Sequence, residues 1–446
     1  MNYDFTKEAK IQFEREFDKI SAIENMEGLD GDIQEAAVSI ISILKNEEVK
    51  IKKSFYDYLS RYLFTKHMID VSDFVGFAIN KQDERKSVNG KRDLLTKQRL
   101  ENCLSNQSFI PQKRDFVFRL AFVLGMNDEE CQELLKKGMN ERGFNFKNPV
   151  EFIYWYCLKF GYGFIKASEL FEKYEAIVAE APNDEDANTE DVYIDFTNKF
   201  AKAKLTDSND LENVLMECLT EIKSKYFFKI IDDDLFNNRL NLMFNVEDAR
   251  GDGIINKIRK EIYEINNASE NEYSKEKFNH RSNLGLTSLY DVSKYLYRSY
   301  YDDTGKEVYI ADIKETVFDL PDDIRNNRLT RERLSNIVMK EDKTQDKYPN
   351  RQDLITSVFL LYELNRKKLM DEHISELEDD EMKFDAMTRS EKRDDFCEKV
   401  NKKLNLCGLL DINANNLYEY FIMLCMSTDD PLGTFQEVYI QSIKKG

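Results

Sequence analysis

Glycine and proline are scarce in this chain, 16 and 6 residues among 446. Sandwiches and barrels consume turn residues and long helices need few, so the shortage argues against an all-β fold. Histidine is scarcer still: His67, His280 and His373 are scattered, without Cys or carboxylate partners at ligand spacing. Metal sites of the Cys/His kind need clustered ligands, so no metal is expected. No stretch comes near the ~20 apolar residues that a bilayer-spanning helix requires, so no membrane association is expected. The opening MNYDFTKEAKIQFEREF is charged and polar and lacks the apolar core of a signal peptide. The glycine patterns of phosphate-binding loops, dinucleotide folds and nucleophile elbows are also missing. DDDL from Asp232 and ARGDG from Ala249 are the nearest approaches to acidic loops. Neither has the alternating carboxylates and closing Glu of a calcium loop, and DDDL reads as the cap of a following helix. No catalytic residue and no cofactor are therefore expected, and the chain reads as a non-enzyme.

What remains is helix-forming material. Hydrophobic residues make up 41% and aromatics 12%, enough to build packed cores. Long polar stretches lack the strict alternation of exposed strands, so the fold class is all-α. Two runs, Phe152–Leu158 and Tyr420–Met426, are apolar on every side and read as buried central helices. Trp155, the only tryptophan, lies in the first and reads as core. The seven cysteines, Cys103, Cys131, Cys157, Cys218, Cys397, Cys407 and Cys425, are odd in number and widely spaced. Several lie in apolar patterns, where a free thiol behaves as a small core residue, and a reducing, cytoplasmic setting follows as the expectation. The net charge of −19 sets an overall field that repels phosphate backbones.

The sequence also matches itself. SFYDYLSRYLF from Ser54 matches SLYDVSKYLY from Ser288, and LTKQRLENCL from Leu95 matches LTRERLSNIV from Leu329. Pro111 leads into KRDFVFRLAFVL as Pro349 leads into RQDLITSVFLLYEL, with Asp115 matching Asp353. NPVEFIYWYCL matches NNLYEYFIMLCM, with Glu151 matching Glu419 and Cys157 matching Cys425. The offsets, 234, 234, 238 and 268 residues, keep their order and grow once. Two diverged tandem copies of a multi-helix unit are expected, joined by a helical connector. The expected division is a first unit over 1–180, an acidic linker over 181–191 (within EAPNDEDANTED), a connector over 192–280 and a second unit over 281–446. In the connector TDSNDLENVLMECLTEI reads as a capped helix with Asp207, Ser208 or Asp210 as N-cap and Leu211, Val214, Leu215 and Leu219 as its stripe. An acidic insertion at about 365–403, containing ELEDDEMKFD, accounts for the larger offset and reads as a solvated charge run.

Within the first copy, DVSDFVGFAI is expected as a short helix that Ser72 can cap, followed by LTKQRLENCL as a second. RDFVFRLAFVLG ends at a glycine suited to a left-handed cap, and NDEECQELLKKG starts at Asn127 with acids in its first turn. From LTKQRLENCL through Pro111 to LAFVLGMNDEECQELL the chain resembles the XRE-type, phage-repressor-like helix-turn-helix domain, with a core at about 70–138. More closely, the segment from Asp70 to Tyr174 resembles uncharacterised proteins of Gram-positive bacteria (Firmicutes) that carry such a domain. The resemblance implies that LTKQRLENCL stands where that family has its recognition helix, and here the unit is duplicated. It departs from the family where about fourteen residues, NKQDERKSVNGKRD, lie between Ile79 and Leu94 in place of a turn of about 3–4.

Between Lys81 and Arg119 ten Lys/Arg face five acids, about +5 in a chain whose remainder is about −24. For nucleic acid, Thr96, Lys97, Gln98, Arg99 and Asn102 would reach bases or backbone, with Lys113 and Arg114 beside them. Thr330, Arg331, Glu332 and Asn336 stand at the matching places of the second copy. The competing reading has these cations pairing with neighbouring acids on a solvated surface. With the global acidity, the expectation is a helical adaptor or regulatory protein acting through an unidentified protein partner. The runner-up is a transcriptional regulator that binds DNA through its first copy.

Overall fold

In the computed structural model the described residues are 32–90, 94–105, 109, 111, 113–146, 148–180, 212–220, 243–244, 253–268, 288–302, 304–338, 349–371 and 387–443. They are helical apart from short turns and one hairpin, so the protein is all-α. The chain packs as two compact units. The first comprises 1–15, 47–235 and 408–415, the second 16–46, 236–407 and 416–446. The units are thus discontinuous in sequence, the longest segment of the first ending at Leu235. The expected linker, the N-cap candidates at 207–210, DDDL, most of ARGDG, His280 and His373 lie outside the described residues.

Helix α1, Ile33–His67, begins where the Asp32 carboxylate accepts the amides of Gln34 and Glu35, both at 2.9 Å. The unit boundary falls inside it, between Asn46 and Glu47. In the first unit α2 (Phe74–Glu84) follows a single 3₁₀ turn capped by Asp70, not by Ser72, whose own amide and hydroxyl donate to that carboxylate. The stretch expected as a fourteen-residue turn is partly helical: α2 continues to Glu84, and Lys86–Asn89 forms α3. Asn89 holds it down, donating to the Phe122 carbonyl at 3.1 Å and accepting the Phe164 amide at 3.0 Å. Then come α4 (Lys97–Ser105), α5 (Arg114–Leu124), α6 (Asp128–Glu133), α7 (Pro149–Lys159) and α8 (Phe164–Glu180). Gly125 ends α5 at φ 70°, and Asn127 and Glu130 form the reciprocal capping box that starts α6.

Helix α7 is the centre of this unit, with Pro149 and every residue from Glu151 to Leu158 buried. Its Tyr154 ring meets Phe118 and Phe122 at 5.3 and 5.6 Å, and Trp155 meets Phe146 edge-on at 5.4 Å. Residues 212–220 add a further helix whose Leu215, Cys218 and Leu219 are buried.

The second unit contains α9 (Ile254–Ala268), α10 (Leu289–Tyr297), α11 (Asp322–Asn326), α12 (Arg331–Val338), α13 (Arg351–Asp371), α14 (Arg389–Leu406), α15 (Leu417–Met426) and α16 (Pro431–Gln441). All of α15 is buried; its Phe421 stacks on Phe435 at 5.2 Å, and Tyr439 meets Phe435 and Tyr297 edge-on at 5.3 and 5.2 Å. The last part of the expected acidic insertion carries α14, which starts at a Thr388–Glu391 capping box and buries Phe396, Val400 and Leu404 at four-residue spacing. The acidic run ELEDDEMKFD itself lies outside the described residues. Only 372–386 of that segment lies outside the described residues.

The departure from helix is a hairpin, β1 (Ser299–Tyr301) against β2 (Glu307–Tyr309), antiparallel with Tyr300 opposite Val308. Its turn is built by Asp302, whose carboxylate accepts the amides of Thr304 and Lys306, and by Gly305 at φ 76°.

Candidate nucleic-acid interface

The local folding of α4 explains which of its side chains face outward. Leu95, Leu100 and Cys103 are buried, which turns the opposite side to solvent. The backbone entering the helix is fixed by the buried Gln82, which accepts the Leu95 amide at 3.0 Å and donates to the Leu95 carbonyl at 3.1 Å. The Thr96 hydroxyl then accepts the Arg99 amide at 3.4 Å as a weak cap. Thr96, Lys97, Gln98, Arg99 and Asn102 are all exposed, and so is Lys113 at the start of α5. These six residues occupy the solvent side of the unit.

Arg114 does not belong with them. Its guanidinium turns inward, with Nε and Nη2 donating to the two oxygens of Glu151 at 2.8 and 2.7 Å. Nη1 reaches Glu141 at 2.7 Å, and the carbonyls of Arg142 and Gly143 accept further bonds. Burial disfavours the charged guanidinium, but Glu151 and Glu141 more than offset it and hold the group firmly protonated. A side chain so bound is a structural tie, and no donor of it is left for phosphate.

Most other cations of the basic window also stand beside a carboxylate, but in exposed pairs on the surface. Lys81 pairs with Glu84 at 2.6 Å, Lys86 with Asp83 at 2.5 Å, Lys97 with Glu101 at 3.6 Å and Arg119 with Asp115 at 2.6 Å. Arg85 lies against Gly125 at the carboxyl end of α5, where a helix dipole favours a cation. Among the described residues of the window, Arg99 and Lys113 are exposed without an ion pair, and Lys91 and Arg92 lie outside the description.

The second unit has a counterpart. The Leu329 amide is met by the Tyr297 hydroxyl at 2.6 Å, and the Thr330 hydroxyl accepts the Arg333 amide at 3.3 Å. Here the helix faces a cleft of about 360 Å³ that includes Arg325, Arg328, Thr330, Arg333 and the acids Glu315 and Glu332. Arg333 is bound by both oxygens of the buried Asp353, and Arg325 by Asp322. Arg328 donates to the carbonyls of Ile310 and Ile313 and lies over the Phe318 ring at 4.5 Å. Arg331 and Glu332 are exposed, while Thr330 and Asn336 are half-buried.

Sequence reasoning missed the Arg–Glu clamp, which occurs in both units. Arg351, first residue of α13, grips Glu419 through Nε at 2.6 Å and Nη2 at 3.0 Å. In each case the Glu is the third residue of a buried helix capped by Asn, Asn148 in one and Asn416 in the other. The available signal was the pairing of Glu151 with Glu419 across the repeat. One expected match is not supported by the hydrogen bonding: the side chain that meets Leu95 comes from α2, whereas the one that meets Leu329 comes from α10. The Ser54 segment, matched to α10 in sequence, belongs to α1.

The seven thiols are free, and all but the half-buried Cys397 are buried. Burial raises Cys103, Cys131, Cys157 and Cys425 well above the ordinary thiol range, the opposite of a nucleophile. Among the described residues no three His, Cys, Asp or Glu side chains converge as a metal-binding group, and no helix is long and apolar enough to cross a membrane.

No protein family, curated protein or solved structure matches the chain.

Proposed function

We propose that this protein is a non-enzymatic helical adaptor or regulatory protein that acts through contacts with other proteins. The observation that carries this reading is the pairing of the basic window: Lys81, Lys86, Lys97, Arg114 and Arg119 each already hold a carboxylate. Phosphate binding draws its affinity from cations that lack such partners, and in a chain of net charge −19 little long-range attraction replaces them. The same reading takes the two units as diverged tandem copies, supported by the recurring Arg–Glu clamp and Thr-capped helix. It takes residues 70–138 as kin of the XRE-type domain in a Gram-positive bacterium, with the protein in the cytoplasm.

A second reading has one observation in its favour. The face of α4 bearing Lys97, Gln98, Arg99 and Asn102 is open, as a DNA-reading helix requires. Titration of the full chain against random duplex DNA across a salt series separates the two. The adaptor reading expects no binding even at low salt. Micromolar binding that weakens with salt and disappears in Lys97→Glu/Arg99→Glu would overturn it in favour of a DNA-binding regulator.

A further inference from the structure

Helix α1 carries a surface that neither reading uses. In the first unit its inner side is filled by Phe55, Leu59, Tyr62 and Leu63, all buried. At about 100° per residue, Val49, Lys53, Asp57, Arg61 and Phe64 fall within an arc of about 120° on the other side. All five are exposed, and so is Met68 just beyond the helix end. The apolar members are far more open than core residues or scattered surface contacts require: Val49 at 59%, Phe64 at 62% and Met68 at 79%. Met68 also sits at φ 55°, in the left-handed region where glycine is the usual helix terminator. A long apolar side chain is thus displayed at the position least suited to it, and strain of that kind gathers at sites of use.

The charges on the ridge are as uneven as its apolar groups. Lys53 and Arg61 make no ion pair among the described residues, and Asp57 is the one acid on the ridge. That contrasts with the basic window, where carboxylates answer most cations. From Val49 to Phe64 the ridge runs about 22 Å, four turns of helix. Its apolar groups stand toward its two ends with cations between them.

We infer that this ridge docks an acidic amphipathic helix of a partner protein, its apolar side chains on Phe64, Met68 and Val49 and its carboxylates on Lys53 and Arg61. The inference rests on the protein-contact reading and names its surface and the chemistry of its partner. An acidic partner suits the ridge because unpaired cations repel a basic one and leave a neutral one without a counter-charge. Helix-on-helix docking suits it because the exposed groups follow helical spacing along a straight element.

The test uses the full chain and a synthetic helix of about five turns, with Leu and Phe along one side and Glu along the other. A counterpart replaces every Glu with Lys. Fluorescence anisotropy is expected to show binding of the acidic peptide, at least tenfold weaker for Lys53→Glu/Arg61→Glu and for Phe64→Asp. Lys97→Glu/Arg99→Glu is expected to bind as the parent does. Phe64→Ser and Lys53→Gln/Arg61→Gln replace any variant whose circular dichroism differs from the parent. Equal binding by all variants, equal binding of the Lys counterpart, or no binding by the parent would each overturn the ridge. So would concentration-dependent self-association abolished by Phe64→Asp, which would make a second copy the occupant. None of these results changes the DNA titration, so losing the ridge and losing the protein-contact reading are told apart.

Discussion

Helices α4 and α12 are entered alike, each behind a buried leucine amide held by a neighbouring side chain and each capped by threonine. Their outer faces differ. On α4 the polar residues stand in solvent, and Asp115 pairs with Arg119 in a surface contact within α5. On α12 the corresponding surface is drawn into the unit, because Arg333 reaches across to an Asp353 that is almost wholly buried. The comparison shows how two helices entered alike come to present an open face and a closed one. A single aspartate in the neighbouring helix, pairing along its own helix in one unit and across to the capped helix in the other, makes the difference.

The largest expected effect concerns what the units share. Glu141→Ala/Glu151→Ala and Glu419→Ala each leave a half-buried guanidinium without the carboxylates that hold it, and each should cost about 3–5 kcal/mol in urea unfolding. A large loss from one and little from the other would break the parallel between the units.

The next sharpens the difference. Arg333→Ala strands the buried Asp353 and should cost about 3 kcal/mol, whereas Arg119→Ala removes a half-exposed i, i+4 pair worth about 0.5 kcal/mol. Similar losses from both would mean that the closed face of α12 does not depend on the aspartate.

The smallest is a pH effect confined to the first unit. Burial would raise the Glu212 carboxyl, but hydrogen bonds from Lys166 and Lys173 hold it below the ordinary glutamate range. A depressed carboxyl stabilises the fold above its unfolded value, and that stabilisation is lost as pH falls through the folded value. Acid titration of unfolding should therefore be shallower in Lys166→Met/Lys173→Met than in the parent. An unchanged slope would remove Glu212 from the acid response.

Much of the fold was legible because it is written in local chemistry. Asn127 with Glu130, Gly125 after an apolar run, and Asn148 before Pro149 are read from neighbours within four residues. The two helices that are apolar all round announced their burial directly. Reading failed where the partner is distant or the pattern short. Arg114 looked like a phosphate contact because charge does not reveal direction, and its partner Glu151 stands 37 residues away. The stripe of Phe396, Val400 and Leu404 in α14 was passed over because charges outnumber it. The hairpin was overlooked although Asp302 to Gly305 is a turn sequence between aromatic residues, because three-residue strands leave no alternation to detect. The exposure of the polar residues of α4 follows from the same apolar spacing that buries Leu100 and Cys103.

The segment between α2 and α4 carries a constraint of another kind. Gly163 packs so closely on it that any β-carbon there would lie 2.1 Å from the Val88 carbonyl oxygen. With Asn89 tied to both Phe122 and Phe164, the added length behaves as a fixed spacer rather than slack chain. Gly163 can therefore gain a side chain only if Lys86–Asn89 gives up its seat. Gly163 and the Val88 backbone, 75 residues apart in sequence, are coupled.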